Sequence, residues 1–330
     1  MFQIAEYLNQ GMALARYCLF RTPALPTLML YVTNACNSRC KICHLWKIKK
    51  HTHLPLESIR TILGSPLVAK SVIGIEGGEI FLHPDWEGIL ELLSKRGRFI
   101  LLSNGLATER LLNSVRQFKI PKVSVSLDGM EQSYLNVRGV DGYAAVKQSI
   151  LSLREYAEVS VAFTFCPWNS VSDFLQIQEF CRCNAINLKI NIFHNVPLFE
   201  VNEIQKEISG PENLDLGFPE KDYLDLYNGW LNGKVKLPCL SIRFRSVVWP
   251  DGSVPLCQCK NIILGNIHSQ SIDEIWRSPK TLALWKQYYN CNDCWGAFHR
   301  IYDVVLIKAA QKVLPKRVIE KILGEYTLNG

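Results

Sequence analysis

"TLMLYVTNACNSRCKIC" (residues 27–43) runs from a short apolar, β-forming stretch straight into three cysteines, Cys36, Cys40 and Cys43. The next cysteine after them is Cys166. Soft metals are held by thiolates and usually take four ligands, so the triplet leaves one coordination position to something else. A bacterial ferredoxin run, C-x2-C-x2-C-x3-C, gives every iron a protein sulfur. The C-x3-C-x2-C spacing here does not. His44 as the fourth ligand of a zinc ion would share one metal with its covalent neighbour Cys43, which is awkward. Two readings stay open on the residues alone: an iron–sulfur cluster with one open iron, or a structural zinc site.

The stretch before the cysteines is the first of six β-branched, apolar runs. The others are "SVIGIEG" (71–77), "FILLSNG" (99–105), "KVSVSLDG" (122–129), "VSVAFTF" (159–165) and "LKINIF" (188–193). Helical patterns lie between them near 55–64, 84–96, 107–118, 143–156 and 171–184. Near-continuous apolar strands separated by helices predict a parallel sheet covered by helices. Six βα units are too few to close an eight-fold barrel, so the expectation is an α/β fold built as a partial (β/α)6 TIM-like barrel. Ligands in such sheets gather at the carboxyl ends of the strands. There the sequence carries the cysteine loop, "GGE" (77–79), "SNG" (103–105) and "SLDG" (126–129), all on one rim.

After residue 194 the rhythm breaks. The reading divides the chain into an amphipathic N-terminal helix (1–25), the barrel core (26–194), a linker (195–238), a cysteine-bearing β-hairpin plus helix domain (239–299) and a basic amphipathic helix (300–330) interrupted near Pro315. In the fourth segment, "SVVWPDGSVPLC" (246–257) reads as a hairpin turning at Asp251-Gly252. "SIDEIWRSPKTLALWKQYY" (271–289) reads as a helix, and "CNDC" (291–294) closes the region.

Twelve cysteines without a signal peptide point to metal or redox chemistry in a reducing compartment, hence a cytoplasmic protein. No run approaches the roughly 20 apolar residues that span a bilayer. The net charge of +7 is mild, and Lys and Arg are scattered without a nucleic-acid stripe. Lys308, Lys312, Lys316, Arg317 and Lys321 stand beside Val, Leu and Ile. That pattern allows peripheral membrane contact through the C-terminal helix, and equally a helix packed on its own domain.

"CNSRCKIC" after a first strand resembles the CxxxCxxC signature of the radical S-adenosylmethionine (SAM) enzymes. "EGGEIFLHPD" (76–85), "SNG", "SVSLDG" and "RGVDGY" (138–143) are similar to that family's later motifs, in the expected order. The resemblance implies a [4Fe–4S] cluster on Cys36, Cys40 and Cys43 whose open iron is chelated by SAM. It implies SAM contacts from Gly77, Gly78, Glu79, Ser103, Asn104, Ser126, Asp128 and Arg138, with Ile42 near the adenine. Physically, a glycine pair permits close backbone approach, and a carboxylate suits an ammonium.

Cys239, Cys257, Cys291 and Cys294, with "LGNI" and "SIDEIWRS" between them, resemble the twitch form of the SPASM extension and imply one auxiliary [4Fe–4S] cluster; four thiolates also suit zinc. Cys259 is left over as a spare ligand, a plain thiol or a hydrogen-atom donor. Cys18, Cys166, Cys181 and Cys183 read as buried small hydrophobes. Trp249, Trp295 and His299 read equally as pocket or packing residues.

The chemistry implied is reductive cleavage of SAM to a 5′-deoxyadenosyl radical that takes a hydrogen atom from a substrate C–H bond. The auxiliary cluster would assist electron transfer, and an external donor such as flavodoxin or ferredoxin would supply the first electron. With only about 26 residues before the first strand, a fused peptide-recognition domain is not expected. The leading reading is therefore an oxidoreductase acting on a sugar, alcohol or lipid-linked molecule. A peptide-modifying enzyme and a non-catalytic Fe–S or zinc protein stand as alternatives.

Overall fold

The computed structural model describes residues 11–13, 16, 23–194, 196–197 and 214–328. The helix expected over 1–25, and Cys18 with it, falls almost wholly outside the described residues.

Five βα steps run as expected. β1 (Thr27–Tyr31), β2 (Val72–Glu76), β3 (Phe99–Ser103), β4 (Lys122–Ser126), β5 (Glu158–Phe165) and β6 (Asn187–Ile192) alternate with α1 (Leu56–Gly64), α2 (Trp86–Arg96), α3 (Thr108–Phe118), α4 (Glu131–Arg138), α5 (Tyr143–Leu153) and α6 (Val171–Cys183). Helix α4 was not anticipated; it occupies the "EQSYLNVR" segment between β4 and α5.

Side-chain alternation along the strands builds two layers. Leu28, Leu30, Ile73 and Ile75 join the buried core beneath the helices. Met29 and Tyr31 point the other way and pack with Val247 and Trp249 on the concave face. Gly74, Ser124 and Ala162 occupy concave-face positions where larger residues would fill the lumen, and a cavity opens beside them.

The main departure from expectation is a seventh strand. The sheet order is β6-β5-β4-β3-β2-β1-β8, all parallel. Here β8 (Arg245–Val248) pairs with β1 in the register Thr27↔Arg245 to Leu30↔Val248. The hairpin expected over 246–257 is therefore corrected. The Asp251-Gly252 turn exists, with Gly252 at φ +81° and Asp251 Oδ1 accepting from Ser253 N at 2.9 Å. It leads from β8 in the large sheet to β9 (Ser253–Cys257), which pairs antiparallel with β10 (Lys260–Asn266). Turn chemistry specifies the reversal but not which neighbour each arm chooses.

Between β6 and β8 lie α7 (Glu220–Asp225), α8 (Tyr227–Leu231) and a short β7 (Val235–Lys236). The helix expected over 271–289 is two helices, α9 (Ile272–Arg277) and α10 (Pro279–Gln287), split where Pro279 cannot continue α9. Ser271 and Glu274 form a capping box on α9, and Ser278 Oγ accepts from Thr281 N on α10. Trp276 and Trp285 meet edge to face at 4.8 Å between the two helices. Trp276 Nε1 also donates to Ala24 O, which pins this region onto the start of the barrel. α11 (Ala297–Gln311) and α12 (Lys316–Leu323) follow, with Pro315 capping α12, and β11 (Thr327–Leu328) pairs with β7.

Trp276 is fully buried. Trp276→Ala is expected to cost about 3–5 kcal/mol, read as a lowered denaturation midpoint by circular dichroism. A loss under about 1 kcal/mol would mean that the two-helix unit does not brace the barrel.

Candidate active site

The loop that carries the first three cysteines is fixed from both sides. On one side Gly78 N donates to Thr33 O (2.7 Å) and Glu79 N to Ala35 O (2.8 Å). A Cβ on Gly77 would lie 2.5 Å from Thr33 O, and one on Gly78 would overlap the Ala35 carbonyl. The glycine pair is thus needed first for the approach of two backbones. On the other side Arg39 N donates to Arg138 O and Lys41 N to Val137 O, both at 2.9 Å. Gly139 there has φ +67° and a Cβ position filled by Arg39.

Cys36, Cys40 and Cys43 line one cavity of about 260 Å³ together with Ile42, Gly77, Gly78, Ser103, Asn104, Ser126 and Arg138. Burial pushes the Cys36 thiol up to about 11 and that of Cys43 well above the usual thiol range, so thiolates there need a positive partner.

Two of the expected contact residues stand behind this wall. Glu79 is buried and accepts from Ser103 Oγ (3.0 Å) and Asn104 N (2.8 Å). Asp128 is fully buried, pairs with Arg138 and accepts from Thr164 N at 2.8 Å. Arg138, expected to meet a ligand carboxylate, is thus partly engaged by Asp128, and its Nη1 approaches Cys40 Sγ at 3.7 Å. Its Nε and the Ser38 hydroxyl are buried without a partner among the described residues.

A second cavity is lined by Cys239, Cys257, Cys259, Cys291 and Cys294. α11 holds it together, through a residue pair the sequence reading missed. Arg300, fully buried, donates to Cys294 O (3.1 Å), Cys291 O (2.7 Å) and Asp303 Oδ2 (3.0 Å). Asp303 Oδ1 accepts from Leu240 N and Ser241 N, each at 3.1 Å, next to Cys239. The signal was present as an Arg and Asp three apart on a helix. A hydrogen bond from Cys259 and the Arg300 charge draw the Cys294 thiol below the usual thiol range. Cys259 stands with the other four thiols and is not on the wall of the lumen cavity.

One further expectation is corrected and the open ones are decided. Cys183 is exposed, because it sits on the outward face at the end of α6; Cys166 and Cys181 are buried as expected. Trp249 and Trp295 are packing residues. Trp295 stacks on Tyr223 and donates to its carbonyl, and Trp249 belongs to the concave-face core. His299 is buried against Ser241 Oγ (3.2 Å) in the wall of the second cysteine cavity.

The lumen holds a third cavity, of about 310 Å³. It shares Glu76, Leu102, Ala162, Asn191, His194 and Val196 with the first cysteine cavity. Gln258, between Cys257 and Cys259, also lines it. Glu76 and His194 were not singled out from sequence, although two-residue alternation back from the strand end places Glu76 inside.

A family model described as the radical SAM superfamily matches residues 30–181, and one described as an iron–sulfur cluster-binding domain, SPASM, matches residues 239–295. The chain carries a radical SAM domain followed by a SPASM domain. Among solved structures, Streptococcus suis SuiB bound to S-adenosylmethionine is similar with a TM-score of 0.62 at 15% identity, over 91% of this chain and 78% of that one. SuiB bound to precursor peptide SuiA gives 0.60 at 13% identity, over 91% and 77%. Native anSMEcpe with bound AdoMet and Cp18Cys peptide gives 0.54 at 18% identity, over 88% and 100%. These identities show a shared fold. No curated protein matches the sequence.

The radical SAM and SPASM domains imply [4Fe–4S] clusters and SAM as cofactors. The residues present fit them: three thiols on one loop beside the unsatisfied Arg138 Nε and Ser38 Oγ, and five thiols beside the Arg300 cation. Among the described residues no three ligand side chains close on a single ion; a cluster differs in tying each thiolate to its own iron.

Two outcomes follow from the buried charges. Arg300→Met leaves Asp303 buried without its cation and is expected to cost about 3–5 kcal/mol. Iron bound at the second cavity should fall with it, read by denaturant titration and iron assay; unchanged stability would remove Arg300 as the brace. Burial also pushes Glu79 up to about 7 against the bonds from Asn104 and Ser103. The folded protein then keeps a proton that the unfolded chain releases above its ordinary value of about 4.3. Stability conferred by protonated Glu79 is lost as pH rises toward 7, by at most about 1.4 kcal/mol per pH unit, and levels off above. Denaturation midpoints of wild type minus Glu79→Gln should fall between pH 5 and 7; a flat difference would contradict it.

Proposed function

We propose that this radical SAM enzyme dehydrogenates a small alcohol- or amine-bearing molecule held in the lumen cavity. The observation that carries this reading is the lumen's position, sharing one wall with the Cys36–Cys40–Cys43 cavity and bordering Gln258 beside the auxiliary cysteines. In this reading Cys36, Cys40 and Cys43 hold the SAM-binding cluster. Gly77, Gly78, Ser103, Asn104, Ser126 and Arg138 line the SAM cavity, while Glu79 and Asp128 position them. Cys239, Cys257, Cys291 and Cys294 hold the auxiliary cluster, with Cys259 as a fifth thiol beside it. When bound, these groups supply a radical that removes one hydrogen atom from substrate and an acceptor for one electron.

The chain's own residues handle the remaining proton. His194 lines both cavities; its Nδ1 donates to Ile192 O at 3.1 Å, which leaves Nε2 as the acceptor, buried without a partner among the described residues. Loss of one hydrogen atom, one proton to His194 and one electron toward the SPASM cysteines balances as a two-electron oxidation of a secondary alcohol to a ketone.

A second reading, modification of a peptide side chain, is favoured by the peptides bound in SuiB and anSMEcpe. An electron donor such as flavodoxin or ferredoxin is part of either. Peripheral membrane contact rests on exposed Val313 and Ile322 beside Lys312, Lys316, Arg317 and Lys321. Among the described residues no helix is long and apolar enough to cross a membrane.

The test is anaerobic reconstitution followed by SAM and dithionite. Wild type is expected to form 5′-deoxyadenosine and to carry about eight irons. Cys40→Ala should form none, and Cys291→Ala should retain about four irons. Equal product from Cys40→Ala, or product stimulated by peptides and by no small alcohol or amine, would overturn the reading.

A further inference from the structure

We propose that the Glu76 carboxylate is a subsite for a primary ammonium group of the substrate. This rests on the lumen cavity being the substrate chamber.

Glu76 is the last residue of β2 and points into the lumen, opposite in parity to the buried Ile75. It stands on the wall shared with the cysteine cavity. A group bound to it therefore lies where the lumen borders the SAM cavity, and sets which neighbouring C–H bond faces that border. Its register partner on β1 is Tyr31. Gln258 Nε2 donates to the Tyr31 hydroxyl at 2.7 Å, so the phenol proton is left to point at the Glu76 carboxylate, with which it hydrogen-bonds. A carboxylate offers about four lone-pair sites, and the tyrosine takes one.

No cation of the described chain compensates this carboxylate. Burial alone pushes it up to about 7, opposed only by Tyr31. The cavity's arginine is at the wrong level. Arg245 pairs in register with Thr27, four residues before Tyr31 on β1, or about 13 Å away along the strand direction. Arg245 is also spent locally, donating to Phe298 O and lying 3.4 Å over the Tyr302 ring. Lys189 has interactions of its own. A desolvated carboxylate facing a chamber, with one neutral donor and no counter-charge, is stabilised most by a ligand that brings both charge and several donors. A primary ammonium does both, with three N–H donors on a compact head. A hydroxyl brings one donor and no charge.

The experiment is calorimetric titration of reconstituted, SAM-loaded enzyme without reductant. The probes are cyclohexylammonium, cyclohexanol and N-acetyl-lysine N-methylamide. At least one of the two ammonium probes should bind about tenfold or more tighter than cyclohexanol, as expected for one charge-assisted hydrogen bond. Glu76→Gln should lose that preference and Glu76→Asp should largely keep it. The wild-type comparison stands even if the variants fold poorly, which iron content and circular dichroism report. Tighter cyclohexylammonium points to a free amine, and tighter lysine amide to a peptide-borne one; either supports the subsite. No ammonium binding, equal affinity for cyclohexanol, or a Glu76→Gln variant that weakens SAM and leaves the ammonium probe unchanged would overturn it. Because no turnover occurs, binding as expected with no 5′-deoxyadenosine in the reducing assay would sink the proposed reaction and leave the subsite standing.

Discussion

Two backbone hydrogen bonds, Gly78 N to Thr33 O and Glu79 N to Ala35 O, govern the reactive end of the molecule. They extend the β1–β2 ladder past the strands and into the cysteine loop. Side chains at 77 and 78 would force the two segments apart, so the loop's shape depends on what is missing there. Once the ladder is set, Cys36 follows Ala35 into the cavity and Glu79 turns inward. Its carboxylate then orders Ser103 and Asn104 on the next strand. A chain of polar contacts thus passes sideways from strand end to strand end, each setting the next.

The SPASM region solves the same problem by other means. Cys257 ends β9, but Cys239, Cys291 and Cys294 lie on loops, and these are held by one long helix and a buried ion pair. Arg300 gathers the carbonyls of Cys291 and Cys294 while Asp303 gathers the amides after Cys239. Buried ion pairs seldom add net stability over a well-packed apolar core. Here the pair organises backbone groups on two separate loops, which no apolar pair does.

The barrel was legible because two-residue and helical periodicities are local properties, and the strand-end motifs inherit their positions from them. The β8 pairing was not, because an Asp-Gly turn encodes a reversal but carries no information on which sheet the incoming arm joins. The break between α9 and α10 was written as Ser278-Pro279, but the apolar spacing ran through it. Cys183 was misread because its exposure depends on the phase at which α6 ends. The thiols and rim residues of the site were named from the resemblance of their motifs to those of the radical SAM and SPASM domains. Glu76, His194 and Arg300 were not singled out: local spacing carried a signal for Glu76 and for the Arg300–Asp303 pair, but their importance comes from what the fold brings around them, such as the carbonyls of Cys291 and Cys294 on Arg300.

The seventh strand also bears on motion. β8 is hydrogen-bonded to β1 along Thr27–Leu30 and leads through the Asp251-Gly252 turn into β9, which ends at Cys257, so one covalent path joins the two cysteine cavities through the large sheet. Sliding one toward the other would shear a parallel ladder. Their separation is therefore tied to a dimension of the sheet, set by the register of two strands rather than by a flexible tether.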